Sequence, residues 1–313
     1  MRFGIVILPQ DPWPIARRKW QSAEGLGFDH AWTYDHLSWR SLADEPWHAT
    51  VPTLTAAAAA TEAIKLGTFV TSPNFRHPVP FAKDIATVDD IAGGRFLLGI
   101  GSGGTGFDAF VLGERELTAG ERHRRYVEFV ELLDKLLRFE PAAASSTNKG
   151  TAPDAGTATD TGTTNPGISY AGDWYTAHNA RMVGEPAQRP RMPFVLAANG
   201  PKALDLVGQF GQGWVTFGPD DKTGDAWWSV IAERAARLDD AAEKAGRHPK
   251  SIDRYLNLDS DAQYSLESVG AFDDLVGRAA ELGFTDVISH WPRTAGIYAG
   301  NEDVLYEVAA NSM

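Results

Sequence analysis

The chain contains no cysteine. That absence removes disulfides, thiolate metal ligands and a cysteine nucleophile from consideration, and it says little about redox compartment because nothing is left to oxidise. Basic residues are also scarce: 29 Lys and Arg face 41 Asp and Glu, a formal net charge of -12. Such a balance argues against a nucleic-acid surface and against electrostatic docking on an anionic membrane, leaving small molecules or other proteins as partners. No apolar run approaches the ~18 residues of a spanning helix. Met1 leads directly into RFGIVIL without a cleavable leader, so a cytoplasmic location is expected. No metal site is expected.

What is present is the material of one large core: 313 residues, 43% of them apolar and 11% aromatic. Short β-branched or aromatic runs at 2–8, 29–34, 64–71, 95–101, 193–198, 214–218, 254–259 and 285–290 read as strands. Between them lie helical patterns near 15–26, 52–62, 78–92, 120–138, 201–210, 224–246, 270–282 and 301–311. In the third, Phe81, Ile85, Val88 and Ala92 recur at helical spacing, with Pro78 and Pro80 in the first turn and Gly93-Gly94 at the end. Eight β-then-α units favour a closed α/β barrel, the (β/α)8 TIM barrel, over an open doubly wound sheet, and make 1–313 a single domain. Residues 140–167 are Ala, Thr, Gly, Ser and Asn with almost no large apolar side chain, so a flexible insertion after the fourth helix is expected, as a surface loop or a lid. ISYAGDWYTAHNARMV then reads as a β-hairpin turning at Ala171-Gly172-Asp173.

Right-handed crossovers place every β-to-α loop on one rim, where barrels bind ligands. Two unusual stretches fall there, SPNFRHP (72–78) and GIGSGGTG (99–106). Glycine at 99, 101, 103, 104 and 106 lets backbone approach a planar ring or a phosphate, although a merely flexible loop reads the same way. The dinucleotide spacing G-x-G-x-x-G before a helix is missing, which argues against a Rossmann site. In AANGPKALDL, Asn199 and Gly200 precede a helix opened by Pro201, so free N–H groups, the helix dipole and Lys202 make a phosphate site; the plain alternative is a good helix start. Aromatics crowd the same rim: Trp13, Tyr34, Trp39, Trp47, Phe75, Phe107 and Phe110. Several belong to the core, and those on loops line an apolar substrate pocket. Arg76, His77 and Arg293 are polar handles there, or ordinary caps and salt bridges.

AEGLGFDHAWTYDH, TEAIKLGTFV, HPVPFAKDIATVDDIAGGRFLLGIGSG and PAQRPRMPFVLAANGPKALDLVGQFGQGW together resemble the luciferase-like flavin and deazaflavin oxidoreductases over nearly the whole chain. TSPNFRHP looks closer to the deazaflavin branch. The resemblance implies a TIM barrel, usually a homodimer, holding coenzyme F420 or FMN at the C-terminal rim. It implies a non-proline cis peptide at Phe69-Val70 backing the central ring, with Ser72, Gly101, Ser102 and Gly103 beside the cofactor and its phosphate at Asn199, Gly200 and Lys202. Asp35-His36 matches the position of a histidine near the reactive ring edge. His36 would exchange the proton that accompanies hydride transfer, since imidazole titrates near neutral pH, and Asp35 would orient it or contact the cofactor.

Two departures matter. Gly104 stands where the branch's sugar-phosphate dehydrogenases carry a catalytic glutamate, and Ser102 stands about where luciferase has a cysteine. The expected function is therefore an F420-dependent oxidoreductase moving hydride between cofactor and a small organic substrate. The alternatives are an FMN-dependent monooxygenase fed by a partner reductase, and a noncatalytic flavin-binding protein, against which the full barrel and His36 weigh.

Overall fold

The structure is a computed structural model that describes residues 1–104, 106–140, 167–184 and 186–312. Most of the expected insertion, 141–166, lies outside the described residues. The strands are β1 (Arg2–Val6), β2 (His30–Thr33), β3 (Lys65–Thr68), β4 (Phe96–Ile100), β5 (Ile168–Ala171), β6 (Thr176–Ala180), β7 (Phe194–Ala197), β8 (Gly213–Thr216), β9 (Asp253–Asn257) and β10 (Asp286–His290). Eight of them close into a parallel barrel in the order β1-β10-β9-β8-β7-β4-β3-β2, and β5 and β6 form the separate antiparallel hairpin. The α-helices are α1 (Trp13–Gly25), α2 (Thr50–Ala60), α3 (Pro78–Ile91), α4 (Phe107–Phe110), α5 (Ala119–Leu137), α6 (Pro201–Phe210), α7 (Gly224–Lys244), α8 (Val269–Glu281) and α9 (Glu302–Ser312). The one-turn α4, inside the Gly-rich β4-to-α5 loop, is too short for a periodic signal and is not among the helices expected from sequence.

Local chemistry accounts for the element boundaries that aim the rim. His77 caps α3 by accepting the Val79 N–H, Pro78 occupies the first position, and Gly93 and Gly94 turn out of it at φ +60° and +81°. Phe81, Ile85 and Val88 form its buried face. A capping box between Thr118 and Glu121 starts α5. Arg95, from the Gly-Gly-Arg stretch, donates to the carbonyls of Ala58, Thr61, Ile64 and Ala92, which ties the end of α2 and the exit of α3 to the foot of β4. β3 ends sooner than the apolar run suggests. Its ladder stops at Thr68, the Phe69–Val70 peptide is cis, and pairing resumes in a single bridge between Thr71 and Ile100.

Two apolar layers result. One lies between barrel and helices, with Trp20, Phe81, Phe129, Phe194 and Trp227 among its fully buried members. The other fills the lumen with Val6, Trp32, Tyr34, Phe69, Leu97, Val195, Val215, Tyr255 and Ile288. Lumen aromatics sit opposite glycine: a Cβ on Gly213 would lie 2.7 Å from the Tyr255 ring, and one on Gly67 would collide with the Trp32 indole. At the N-terminal end of the strands Trp32 Nε1 donates to His30 Nδ1 (2.6 Å), so His30 Nε2 carries the proton that goes to Asp286 (3.0 Å). Arg2 adds two further bonds to Asp286, joining β1 to β10 where the barrel closes.

Candidate active site

His36 follows β2 on the C-terminal rim. Its Nδ1 lies 2.5 Å from Asp108 Oδ2, and a carboxylate can only accept, so Nδ1 holds a proton and, in the neutral ring, Nε2 presents a lone pair. Among the described residues no hydrogen bond occupies Nε2, and the side chain is 28% exposed. Asp108 is almost wholly buried in α4, and its other oxygen accepts the Leu37 N–H at 2.8 Å. The residue that orients His36 is therefore Asp108, and the sequence-based alternative that Asp35 does so is corrected. Asp35 is buried and turned away, taking both arms of Arg76 (2.6 and 3.2 Å) and the Thr71 hydroxyl. Arg76 is thus committed to Asp35 and stacked over Phe75, which removes it as a free substrate handle.

Beside this pair the ends of β3 and β4 press together. A Cβ on Gly101 would lie 2.7 Å from Val70 Cγ2, and one on Gly103, at φ +76°, would strike the Asn74 side chain. Part of the glycine requirement therefore comes from the neighbouring strand and loop rather than from a ligand. Ser72 is buried at the same edge, Ser102 is half-buried, and Gly104 faces open space. Asn74 is held by Arg125, whose Nη2 donates to it at 2.5 Å.

Across the rim α6 begins at Gly200, with Pro201 in its first turn and no side chain capping it. Asn199, Gly200 and Lys202 are exposed, and a Cβ on Gly200 would meet nothing within 4 Å. Asn199 Oδ1 accepts from Thr216 and Arg234, both at 3.0 Å, which leaves its amide N–H groups for the rim. His123 stands close enough to Lys202 that burial, aided by that ammonium, lowers its pKa. An uncapped helix start among cations fits a phosphate-bearing cofactor.

Of the expected pocket aromatics, Tyr34 and Trp39 are buried in the lumen top, Trp13 and Phe107 are exposed at 37% and 48%, and Phe75 is half-buried. Tyr34 is the hub: its ring meets Trp39 at 5.2 Å, His36 at 5.9 Å and Phe69 at 6.4 Å between centroids. Its hydroxyl lies 2.7 Å from His290 Nε2 and 3.0 Å from the Tyr298 hydroxyl. His290 Nδ1 in turn lies 2.8 Å from Asp259. Asp108, Asp259, His290 and Tyr298 were not anticipated from sequence. Asp259 and His290 close the strand-like runs RYLNLD and TDVISH, so the rule that singles out rim residues at strand ends, extended to these two last strands, would have found both. His77 and Arg293 are a helix cap and the partner of Glu45 (2.6 Å).

Among the described residues no cluster of three His, Cys, Asp or Glu side chains is placed to hold a metal, and no helix is long and apolar enough to cross a membrane. A closed eight-stranded parallel barrel with an oriented histidine and an uncapped helix start among cations on its C-terminal rim has the architecture of the (β/α)8 class. The luciferase-like monooxygenase family profile matches residues 1–259, and the chain belongs to that family of oxidoreductases. Its sequence is 29% identical over 301 residues to the F420-dependent hydroxymycolic acid dehydrogenase of Mycobacterium tuberculosis, covering 93% of this chain and 67% of that one. It is 28% identical to the 5,10-methylenetetrahydromethanopterin reductase of Methanolobus tindarius over 268 residues, covering 84% and 67%. The 4-hydroxyprotoasukamycin monooxygenase of Streptomyces nodosus is likewise 28% identical, over 95% and 70%. An F420-dependent secondary alcohol dehydrogenase superposes with a TM-score of 0.77 at 15% identity, over 100% of this chain and 98% of the other, a likeness of fold.

Proposed function

We propose that the protein is an F420-dependent oxidoreductase that moves hydride between the cofactor and a small organic substrate. The observation that carries the reading is the His36–Asp108 pair, a rim imidazole with its Nδ1 fixed on a carboxylate and an Nε2 that no described residue occupies. When bound, the deazaflavin supplies two-electron hydride chemistry. The chain's own residues supply the rest. Phe69 and Val70, Ser72 and the turn Gly101-Ser102-Gly103 would hold the cofactor's ring, and Asn199, Gly200 and Lys202, at the uncapped start of α6, would hold its phosphate. His36 Nε2 accepts or returns the proton that accompanies hydride transfer, and Asp108 stabilises the imidazolium this creates. Asp35 holds the loop after β3 through Thr71 and Arg76. Trp13, Tyr34, Trp39, Phe75 and Phe107 would line the substrate pocket.

The 28% identity to a monooxygenase over 95% of the chain supports one second reading, an FMN-dependent oxygenase served by a separate reductase. Titrating the apoprotein with F420 and with FMN, oxidised and reduced, while following fluorescence separates the two. Micromolar or tighter binding of F420 is expected. Binding of FMN alone transfers the assignment to the oxygenase, and binding of neither removes both.

A further inference from the structure

His36 is not the only proton-bearing group at the lumen top. Asp259 Oδ2 accepts both the backbone N–H (2.6 Å) and Nδ1 (2.8 Å) of His290, and Asp259 Oδ1 accepts the Ser265 N–H at 2.7 Å. A carboxylate so placed is an acceptor three times over, which puts the His290 ring proton on Nδ1 and leaves Nε2 bare. Nε2 therefore accepts from Tyr34, and the Tyr34 oxygen accepts from Tyr298. Polarity runs one way, from Tyr298 to Tyr34 to His290. Among the described residues no further hydrogen bond occupies the Tyr298 oxygen, which ends the line. Exposure rises along the same line, from His290 at 0% through Tyr34 at 5% to Tyr298 at 9%.

We propose that Tyr298, Tyr34 and His290, anchored by Asp259, form a proton relay that accepts the hydroxyl proton of an alcohol substrate and returns it to a carbonyl in the reverse direction. The proposal rests on the hydride-transfer reading above. An alcohol carbon is oxidised by losing hydride to the two-electron acceptor of that reading, which is reduced; His36 serves the proton exchanged with that acceptor, and the substrate's hydroxyl proton must leave through a separate group. That proton passes to the Tyr298 oxygen, the Tyr298 proton to Tyr34, and the Tyr34 proton to His290 Nε2. The products are a carbonyl compound and an imidazolium facing the Asp259 carboxylate. The loaded and empty relays use the same heavy atoms with the hydrogen bonds reversed, so no side chain has to move.

Two further features suit this role. Tyr298 has a left-handed backbone, φ +60°, uncommon for a bulky residue and found where surroundings impose it. It is held there by the Arg293 N–H on its carbonyl (2.8 Å), and its ring lies flat on His290, 3.7 Å between centroids at 8°. That stack meets the face of an imidazolium. Burial, aided by the neighbouring Tyr298 and Asp259, raises the Tyr34 hydroxyl well above its ordinary pKa; burial also pushes Tyr298 up to about 12, against the lowering effect of its hydrogen bond with Tyr34 and of Arg40. Both hydroxyls stay protonated at neutral pH and pass protons on. The remaining groups packed on the relay are Tyr264, which donates to the His290 carbonyl, Arg293 and His36.

The test has two independent arms. Nitrogen NMR of the histidine-labelled apoprotein at pH 8 should show His290 protonated on Nδ1 and bare on Nε2, with the Nε2 resonance displaced in Tyr34→Phe. A proton on Nε2 with none on Nδ1 overturns the relay. In the second arm, F420-loaded wild type, Tyr298→Phe and Tyr34→Phe are mixed with 2-propanol, 2-octanol and cyclohexanol, and loss of oxidised-cofactor absorbance is followed in H2O and D2O. Wild type should turn over at least one alcohol, with Tyr298→Phe slowed about 100-fold, its solvent isotope effect altered and its F420 dissociation constant within threefold. An unchanged rate in Tyr298→Phe, or a wild type that binds F420 and oxidises none of the alcohols, overturns the proposal. Absence of F420 binding removes the hydride-transfer reading and the alcohol assignment with it, whereas the tautomer result judges the relay by itself.

Discussion

A histidine near a rim becomes chemically specific only through the atom bonded to its far nitrogen. Asp108 does this for His36, and the consequence is measurable. His36→Ala should leave F420 affinity within a few fold, because the ring and phosphate contacts proposed above come from other elements, while single-turnover transfer falls ~100-fold to 10,000-fold. An unchanged single-turnover rate would remove His36 from the mechanism. Asp108→Asn keeps the size but offers Nδ1 an amide that can point N–H or C=O at it, so the tautomer is no longer enforced. A drop of about tenfold to 1,000-fold in the same rate is expected, with a changed pH profile and Tm lowered by only a few degrees. Asp35→Asn should behave differently: it loosens the Thr71 and Arg76 ties of the β3-to-α3 loop, so cofactor affinity falls along with rate.

Elements are joined at the foot of the barrel by charges the chemistry does not use. Burial pushes the Asp286 carboxyl up, but hydrogen bonds from His30, Arg2 and Thr285 outweigh it and hold its pKa below the ordinary aspartate value. The stability this contributes is fully present above the unfolded pKa, about 3.9 for aspartate, and is lost as pH falls through the lower folded value. Tm measured from pH 7 to pH 2.5 should therefore fall in the wild type below about pH 4. Asp286→Asn should be less stable at pH 7 by about 3 kcal/mol, with the gap to wild type narrowing in acid. A gap that stays constant with pH contradicts the assignment. Arg95 offers a second check at this scale. Arg95→Met removes its bonds to the carbonyls of Ala58, Thr61, Ile64 and Ala92, and a loss of about 2–4 kcal/mol is expected from denaturant unfolding at unchanged cofactor affinity.

For the molecule as a whole, α5 is packed along the barrel through Tyr126, Phe129, Val130, Leu133 and Leu136, and the β5–β6 hairpin is fastened to it by Glu128, which accepts the N–H groups of Asp173, Trp174 and Tyr175. The elements on either side of 141–166 thus carry their own attachments. Replacing 141–166 with a short Gly-Ser bridge should leave a soluble protein whose Tm shifts by only a few degrees and whose F420 affinity is unchanged. An insoluble product would show that the segment supplies core contacts.

The alternation of strand and helix, the direction of each crossover and the rim location of His36 were legible in the chain because they follow from local periodicity and from the handedness of β-α-β connections. The boundaries of α3 and α6 were legible for the same reason: proline, glycine and a capping side chain act within a few residues. Which carboxylate serves His36 was not. Asp35 is its neighbour in sequence, yet successive residues after a strand point apart, and Asp108 reaches it from 72 residues away only because β2 and the β4 loop meet at one rim. The Tyr298–Tyr34–His290–Asp259 line was hidden likewise, being assembled from the ends of β2, β9 and β10. Local sequence determined the barrel and the place of its rim, since secondary-structure signals are short-range; closure alone decided which rim side chains share a proton, since that depends on distances between residues far apart in the chain.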